Sequence, residues 1–190
     1  MILFSTMQSQ TPEAENLIDQ WANDTDREHA ARRKKPGAAQ NSLLVRALVR
    51  RLLEDKDVEI LSAENGKPYL QNGPHISVSH SHEMAAAAIC PETAIGVDIE
   101  YWRERDFKKL AAYTFGPNER EMVEKGGVLE FYRIWTMREA IAKIGGESIF
   151  RGIDGKDVDI GKWWIFNDLA YKNYSLSLAT AGLACEIRKI

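Results

Sequence analysis

The sequence predicts a mixed α+β protein, on three observations. Two long stretches, 38–55 and 129–146, place apolar residues three and four apart, the period of a helix with one buried face. Runs such as 95–101 and 174–180 alternate apolar and polar residues instead, the period of a strand. Each strong helix is followed by a group of strands rather than by one, so the order is not that of a parallel α/β sheet. The repetition hints at a duplication, although no internal sequence repeat is clear.

The elements follow in order. "ILF" opens as a short strand. Thr11 caps a helix with Pro12 at its first position and Leu17, Ile18 and Trp21 on its apolar face. "RRKKPG" is a break, because Pro36 disfavours helical geometry at Lys35. In the first strong helix Leu44, Val45, Leu48, Val49 and Leu52 form one stripe, with Arg46 and Arg50 four apart on another face. "ENGKPYL" and "QNGP" are turns around a short strand at Tyr69–Leu70. "HISVSHSHEMAAAAI" reads as strand, turn, strand, and "CPET" turns the chain into the strand "AIGVDIEYW". "DFKKLAAYTF" and "PNEREMVEK" are helical pieces, and Gly145-Gly146 ends the second strong helix. The tail runs "KWWIF", "YSLSLAT" and "ACEIRKI" alternate like antiparallel strands.

Composition bounds the function. A chain of 190 residues buries a real core. No apolar run approaches the roughly 20 residues of a membrane span, and "MILFSTMQSQ" lacks the basic start of a signal peptide. Cys90 and Cys185 form no Cys-x-x-Cys pair, which argues against a disulfide framework or cysteine-bound zinc. A cytoplasmic protein is expected. Residues 27–56 hold nine Lys/Arg against three Asp/Glu, while the rest of the chain holds 16 against 25. The plain reading of this basic segment is a solvated helix face; the sharper one is a site for phosphate or an acidic partner. Nucleic acid is not expected, since no aromatic residues interleave with the basic ones.

Asp98 and Glu100 share one face of their strand, opposite Val97 and Ile99, with Cα atoms about 6–7 Å apart. They repel each other and call for a cation. On the second strong helix Trp135, Glu139 and Lys143 stack four apart. Glu139 and Lys143 read most plainly as a wet i,i+4 pair. With Asp98 and Glu100, however, Glu139 makes a third carboxylate, a set suited to a hard ion such as Mg²⁺ that also binds substrate phosphates. A competing site is His80-Ser81-His82, a His-x-His spacing used by zinc hydrolases. No Gly-x-Ser-x-Gly elbow and no glycine-rich phosphate loop is present.

"GKPYL", "ISVSHS", "IGVDIE" and "FYRIWTMREAIAK", in that order and spacing, resemble the 4′-phosphopantetheinyl transferase superfamily. The likeness is to its single-chain, surfactin-type members, and among these to the compact bacterial holo-acyl-carrier-protein synthase group. The resemblance implies a pseudo-duplicated fold of two similar halves, here 1–94 and 95–190, with coenzyme A bound in the cleft between them. It implies Mg²⁺ on Asp98, Glu100 and Glu139, and Lys143 on the coenzyme A pyrophosphate. Ser79, His80 and Lys67 match coenzyme A-binding residues, His80 near the 3′-phosphate with the basic run Arg32, Arg33 and Lys34. Glu119 of "FGPNE" matches an acid proposed as a base. Arg138 replaces the usual lysine before the glutamate, and Asn41 stands where some members place an arginine against the 3′-phosphate, a gap for Arg46 or the basic run to fill.

The implied reaction is attack by a serine of an apo acyl (or peptidyl) carrier protein on the β-phosphate of coenzyme A, releasing adenosine 3′,5′-bisphosphate. Glu139 or Glu119 would accept the serine proton, directly or through water. The expected partners are coenzyme A and an acidic carrier protein of fatty acid, polyketide or peptide synthesis, steered by the basic segment, with no membrane and a monomeric enzyme. The rivals are a zinc hydrolase on His80 and His82, and a non-catalytic module that binds coenzyme A or a carrier protein.

Overall fold

The computed structural model describes residues 1–34, 37–146, 155–168, 173–182 and 186–190, and the fold is mixed α+β. Strand β1 (Ile2–Gln8) pairs antiparallel with β5 (Met84–Cys90), and β5 pairs antiparallel with β4 (His75–Ser81). The inner strand "MAAAAIC" is buried throughout, and its alanines let elements on both faces approach closely. On one face α3 (Ala38–Leu53) sets Leu44, Leu48 and Leu52 against Ala85, Ala87 and Ile89. Each such leucine stabilises the fold by about 1.5–3 kcal/mol relative to exposure.

The other face of this sheet, with Phe4, Ala86 and Ala88, packs on a second sheet. There β6 (Ile95–Tyr101) pairs antiparallel with β8 (Tyr174–Ala181), which pairs antiparallel with β7 (Trp163–Asp168). Val97 and Ile99 of β6 face that shared core, as the alternation requires, so Asp98 and Glu100 face away from it. The long helix α5 (Pro117–Ile144) lies against β6 and β8. Its "EKGG" stretch breaks at Gly127 (φ 67°, ψ −147°), so the piece "PNEREMVEK" and the second strong helix, read separately from the sequence, join across a kink. Phe115 precedes α5, and with Phe131 and Trp135 it builds a third, aromatic core with α4 (Phe107–Thr114).

Most elements lie where the sequence places them; three observations differ. Helix α1 (Pro12–Trp21) is capped by Thr11 as expected, but it is followed by α2 (Asp24–Ala31), which the pattern reading passes over. Its signal is a capping box: the Asn23 side chain accepts from Asp26 N, and Asp26 accepts from Asn23 N. The short strands β2 (Leu61–Ser62) and β3 (Pro68–Tyr69) form a hairpin, with β3 one residue earlier than expected. The last strand β9 (Ile187–Lys189) is not part of an antiparallel tail. It pairs in parallel with β1, because "ILF" offers an open backbone edge on the side away from β5. The expected break at Pro36, Cys185 and the start of the "ACEIRKI" strand lie outside the described residues.

Candidate functional site

The site begins at a backbone contact. Helix α5 crosses β6 at Gly96, where an added Cβ would stand 1.8 Å from the Ala140 carbonyl oxygen. Only glycine permits that approach. Two residues along β6 comes Asp98, three along α5 comes Lys143, and the two meet. Lys143 Nζ donates to Asp98 Oδ1 at 2.7 Å and to the carbonyls of Val97 (3.0 Å) and Val78 (3.4 Å). The side chains are 27% and 7% exposed, so Lys143 is not held in a wet surface pair.

Strand β4 runs beside β6 and ties to it through side chains. Ser77, Ser79 and Ser81 alternate along β4, and their hydroxyl oxygens accept from the amides of Val97 (3.0 Å), Ile99 (3.3 Å) and Tyr101 (3.1 Å). Ser79 and Ser81 then donate their own protons to Asp98 Oδ1 (2.8 Å) and Glu100 Oε2 (2.7 Å). Burial holds the Glu100 carboxyl above the ordinary carboxylate range; the Ser81 bond opposes this, and the Asp98 charge adds to it. Among the described residues, Asp98 Oδ2 is buried without a hydrogen-bond partner. The two acids fit a hard cation: Mg²⁺ is commonly held by one or two carboxylates, with water and substrate phosphate oxygens completing its shell. Among the described residues, no three of His, Cys, Asp or Glu converge closely enough to hold a metal ion as they stand. Glu139 is half-buried on α5, one turn before Lys143.

Two adjoining cavities open beside this junction. The smaller, about 330 Å³, is lined by Lys67, Ser79, His80, Lys143 and Gly146 among others. The hairpin before it clamps the end of α5: Lys67 Nζ donates to the Ile144 carbonyl and Asn65 Nδ2 to that of Gly146, both at 2.7 Å. Burial pushes the Lys67 ammonium below its ordinary pKa. The larger cavity, about 520 Å³, shares His80 and Pro68 with the first and adds His29, Arg32, Arg33, Lys34 and Arg46. His80 stands at the open seam between them, yet the atoms packed around it push its pKa down, helped by the charges of Lys143 and Arg33. The His29 pKa is also pushed down, by burial and then by Arg46, Arg33 and Arg32. Arg33 donates to His29 Nε2 at 3.1 Å.

The basic segment is therefore divided. Arg32, Arg33 and Lys34 are exposed at the cavity. Arg46 and Arg50 are not on a solvated face: they are 7% and 1% exposed and both bind Asp26, which is fully buried. Arg46 also donates to the Ile60 carbonyl at 3.0 Å and to Ser62 Oγ at 3.4 Å. Asn41 donates to the His82 carbonyl.

Glu119 stands apart from the acids of β6. It is buried against Arg138, accepts from Gly116 N at the start of α5, and accepts from Val158 N. His82 occupies the β4–β5 turn at φ 53°, with its ring 4.8 Å from that of Tyr101. The sequence reading missed Asp26, His29 and the serines on either side of Ser79. The serines had a signal in "SVSHS", three small polar residues at the strand period, and Asp26 had its capping box.

Comparison with known proteins follows the same motifs. Residues 94–179 match the family model described as the 4′-phosphopantetheinyl transferase superfamily. The 4′-phosphopantetheinyl transferase gsp of Aneurinibacillus migulanus is 30% identical over 129 residues, covering 65% of this chain and 51% of gsp. The 4′-phosphopantetheinyl transferase AcpT of Salmonella typhi is 34% identical over 100 residues, covering 49% and 52%. HetI, the 4′-phosphopantetheinyl transferase of a Nostoc species, is 32% identical over 107 residues, covering 51% and 45%. The chain thus spans about half the length of these relatives. Among the described residues, no helix is long and apolar enough to cross a membrane.

Proposed function

We propose that this chain, whose residues 94–179 match the 4′-phosphopantetheinyl transferase superfamily, moves the 4′-phosphopantetheine arm of coenzyme A onto a serine of an apo carrier protein. The observation that carries the reading is the half-buried Lys143–Asp98 contact, with Lys143 lining a cavity beside Lys67, Ser79 and His80. A lysine, two acids and an anion-sized basic cleft are what a pyrophosphate and its counter-ion require. In this reading residues 1–94 and 95–190 are the two halves of a duplicated fold, and the cleft lies where β4 of one meets β6 of the other. Strand β9 then belongs to the second half by sequence and to the first by pairing.

The roles are those the resemblance implies, and the lining of the two cavities supports them. Arg32, Arg33, Lys34 and His80 face the larger cavity and receive the 3′-phosphate, with Arg46 held at its wall by Asp26. Lys67 and Lys143 take the pyrophosphate end in the smaller cavity. Asp98 and Glu100, joined by Glu139, would hold Mg²⁺, which when bound neutralises the charge developing on the pyrophosphate oxygens. Lys143 faces that charge. Glu139, on the face of α5 that carries Lys143, is taken as the acceptor for the serine proton in preference to Glu119, which lies against Arg138 apart from the acids of β6. The positive cavity rim would also favour an acidic carrier protein.

Mass spectrometry tests the reading. Wild-type protein incubated with coenzyme A, Mg²⁺ and a panel of apo carrier proteins should add one phosphopantetheine arm to a carrier serine, and omission of Mg²⁺ should abolish the gain. No mass gain on any carrier, with tight zinc in the purified protein, would instead favour hydrolysis on His80 and His82.

A further inference from the structure

The serines of β4 do more than join two sheets. Each hydroxyl oxygen already accepts a β6 amide, so its single proton is free for one acceptor. At Ser79 and Ser81 that acceptor is an acid of β6: Asp98 Oδ1 and Glu100 Oε2. Ser77 makes the same amide contact, but the β6 residue at the equivalent step is Gly96, which has no side chain. The strand period of β4 and that of β6 therefore run in phase, and each acid has one oxygen fixed by a hydroxyl. The Ser81 bond leaves Glu100 Oε1 outside that contact, and the Ser79 bond leaves Asp98 Oδ2 buried and unpartnered.

We propose that Ser81 is a positioning residue for the divalent cation site: its hydroxyl fixes the Glu100 carboxylate so that the second oxygen faces the ion beside Asp98. The inference rests on the reading of Asp98 and Glu100 as cation ligands. Hydrogen-bond partners of ligating carboxylates set the direction of the ligand's lone pairs, and their loss commonly lowers metal affinity about 10–100-fold. Ser81 touches neither phosphate nor carrier serine in this scheme and acts only through Glu100.

The test is Mn²⁺ titration followed by electron paramagnetic resonance, on full-length protein with coenzyme A and no carrier protein. Four variants are compared with wild type: Ser81→Ala, Ser81→Thr, Ser77→Ala and Glu100→Gln. Ser81→Ala should weaken Mn²⁺ by tenfold or more, and Ser81→Thr, which keeps the hydroxyl, should restore most of it. Ser77→Ala removes an equivalent amide contact, so it should lower the melting temperature, by less than Ser81→Ala, which also loses the Glu100 bond, while leaving Mn²⁺ affinity unchanged. Equal loss of affinity in Ser77→Ala and Ser81→Ala would reduce Ser81 to a stabilising contact and overturn the proposal. If Glu100→Gln weakens Mn²⁺ but Ser81→Ala does not, the positioning role alone falls. If wild type binds no Mn²⁺, or binds it with no change in Glu100→Gln, the cation reading itself falls and the proposal with it.

Discussion

Two clusters of buried charge lie on either side of β4, and they are finished differently. Around Asp26, both carboxylate oxygens face guanidinium groups, one from Arg46 and one from Arg50. The atom left over is a donor, Arg50 Nε. Around Asp98, one oxygen takes both Lys143 and Ser79 while the other is buried with no partner. Its neighbour Glu100 is an acid that burial makes reluctant to ionise. A buried carboxylate with both oxygens matched is part of the framework, whereas the one with an unmatched oxygen is where our proposal places a cation. The Glu119–Arg138 pair belongs with the first kind and fastens the start of α5.

The contrast is broken most severely at Asp26. Asp26→Ala leaves two buried guanidinium groups without an anion, and breaking such an arrangement costs about 3–5 kcal/mol. Denaturant unfolding should show a loss of that size and a collapse of the Arg46 wall of the larger cavity. Asp98→Asn should behave in the opposite way. The amide keeps an oxygen for Ser79 and Lys143, so stability should change by no more than about 1 kcal/mol, while phosphopantetheinyl transfer falls below detection. Should Asp98→Asn unfold while Asp26→Ala stays folded and active, the assignment of the two clusters is reversed.

A smaller energy separates charge from geometry at Lys143. Removing a preorganised group that faces transition-state charge costs about 2.7–4 kcal/mol, or roughly a hundredfold or more in kcat. Lys143→Ala should lose that much. Lys143→Arg keeps the charge, but a planar fork does not fit the pocket formed by Asp98 and the carbonyls of Val97 and Val78. It should fold normally and still lose most of its rate in steady-state transfer assays. Near-wild-type kcat in both variants removes Lys143 from the chemistry.

Much of this was legible in the sequence, and the limits have physical causes. Period-two and period-3.6 patterns located β6, α3 and α5, because burial on one face writes itself into the order of residues. The acids of β6 stood out because their charge is out of place on an otherwise apolar strand, while Lys143 of α5 read first as a wet pair with Glu139 and gained meaning only beside those acids. Partnership was not legible. Asp26 lies one residue outside the basic segment as counted from Arg27, so a local charge sum missed the anion that neutralises Arg46 and Arg50 across 20 and 24 residues of chain. The parallel pairing of β9 depended on which sheet had a free edge, a property of the assembled fold. The role of Gly96 required Ala140, which is distant in sequence and touches it only by its backbone.

The smallest effect is also the one that tests the unfinished cluster without any enzyme assay. Burial raises the Glu100 carboxyl above its ordinary pKa, so the folded state holds the proton more tightly than the unfolded chain does. For a group shifted in that direction, the stabilising contribution is fully present below the unfolded pKa, about 4.3, and is lost as pH rises through the higher folded value. Metal-free wild type should therefore forfeit some stability between pH 4 and pH 8 that Glu100→Gln, which cannot ionise, retains. The amide oxygen still accepts from Ser81, so little else changes. Thermal melts in a chelating buffer should give matching midpoints near pH 4 and a variant higher by about 2–4 °C at most near pH 8. Adding Mg²⁺ at pH 8 should raise the wild type and leave the variant nearly still, because a bound cation supplies the counter-charge that Glu100 lacks. A variant that melts below wild type at every pH, or a gap that does not change with pH, would mean that Glu100 is as well satisfied as Asp26, and the contrast between the two clusters would disappear.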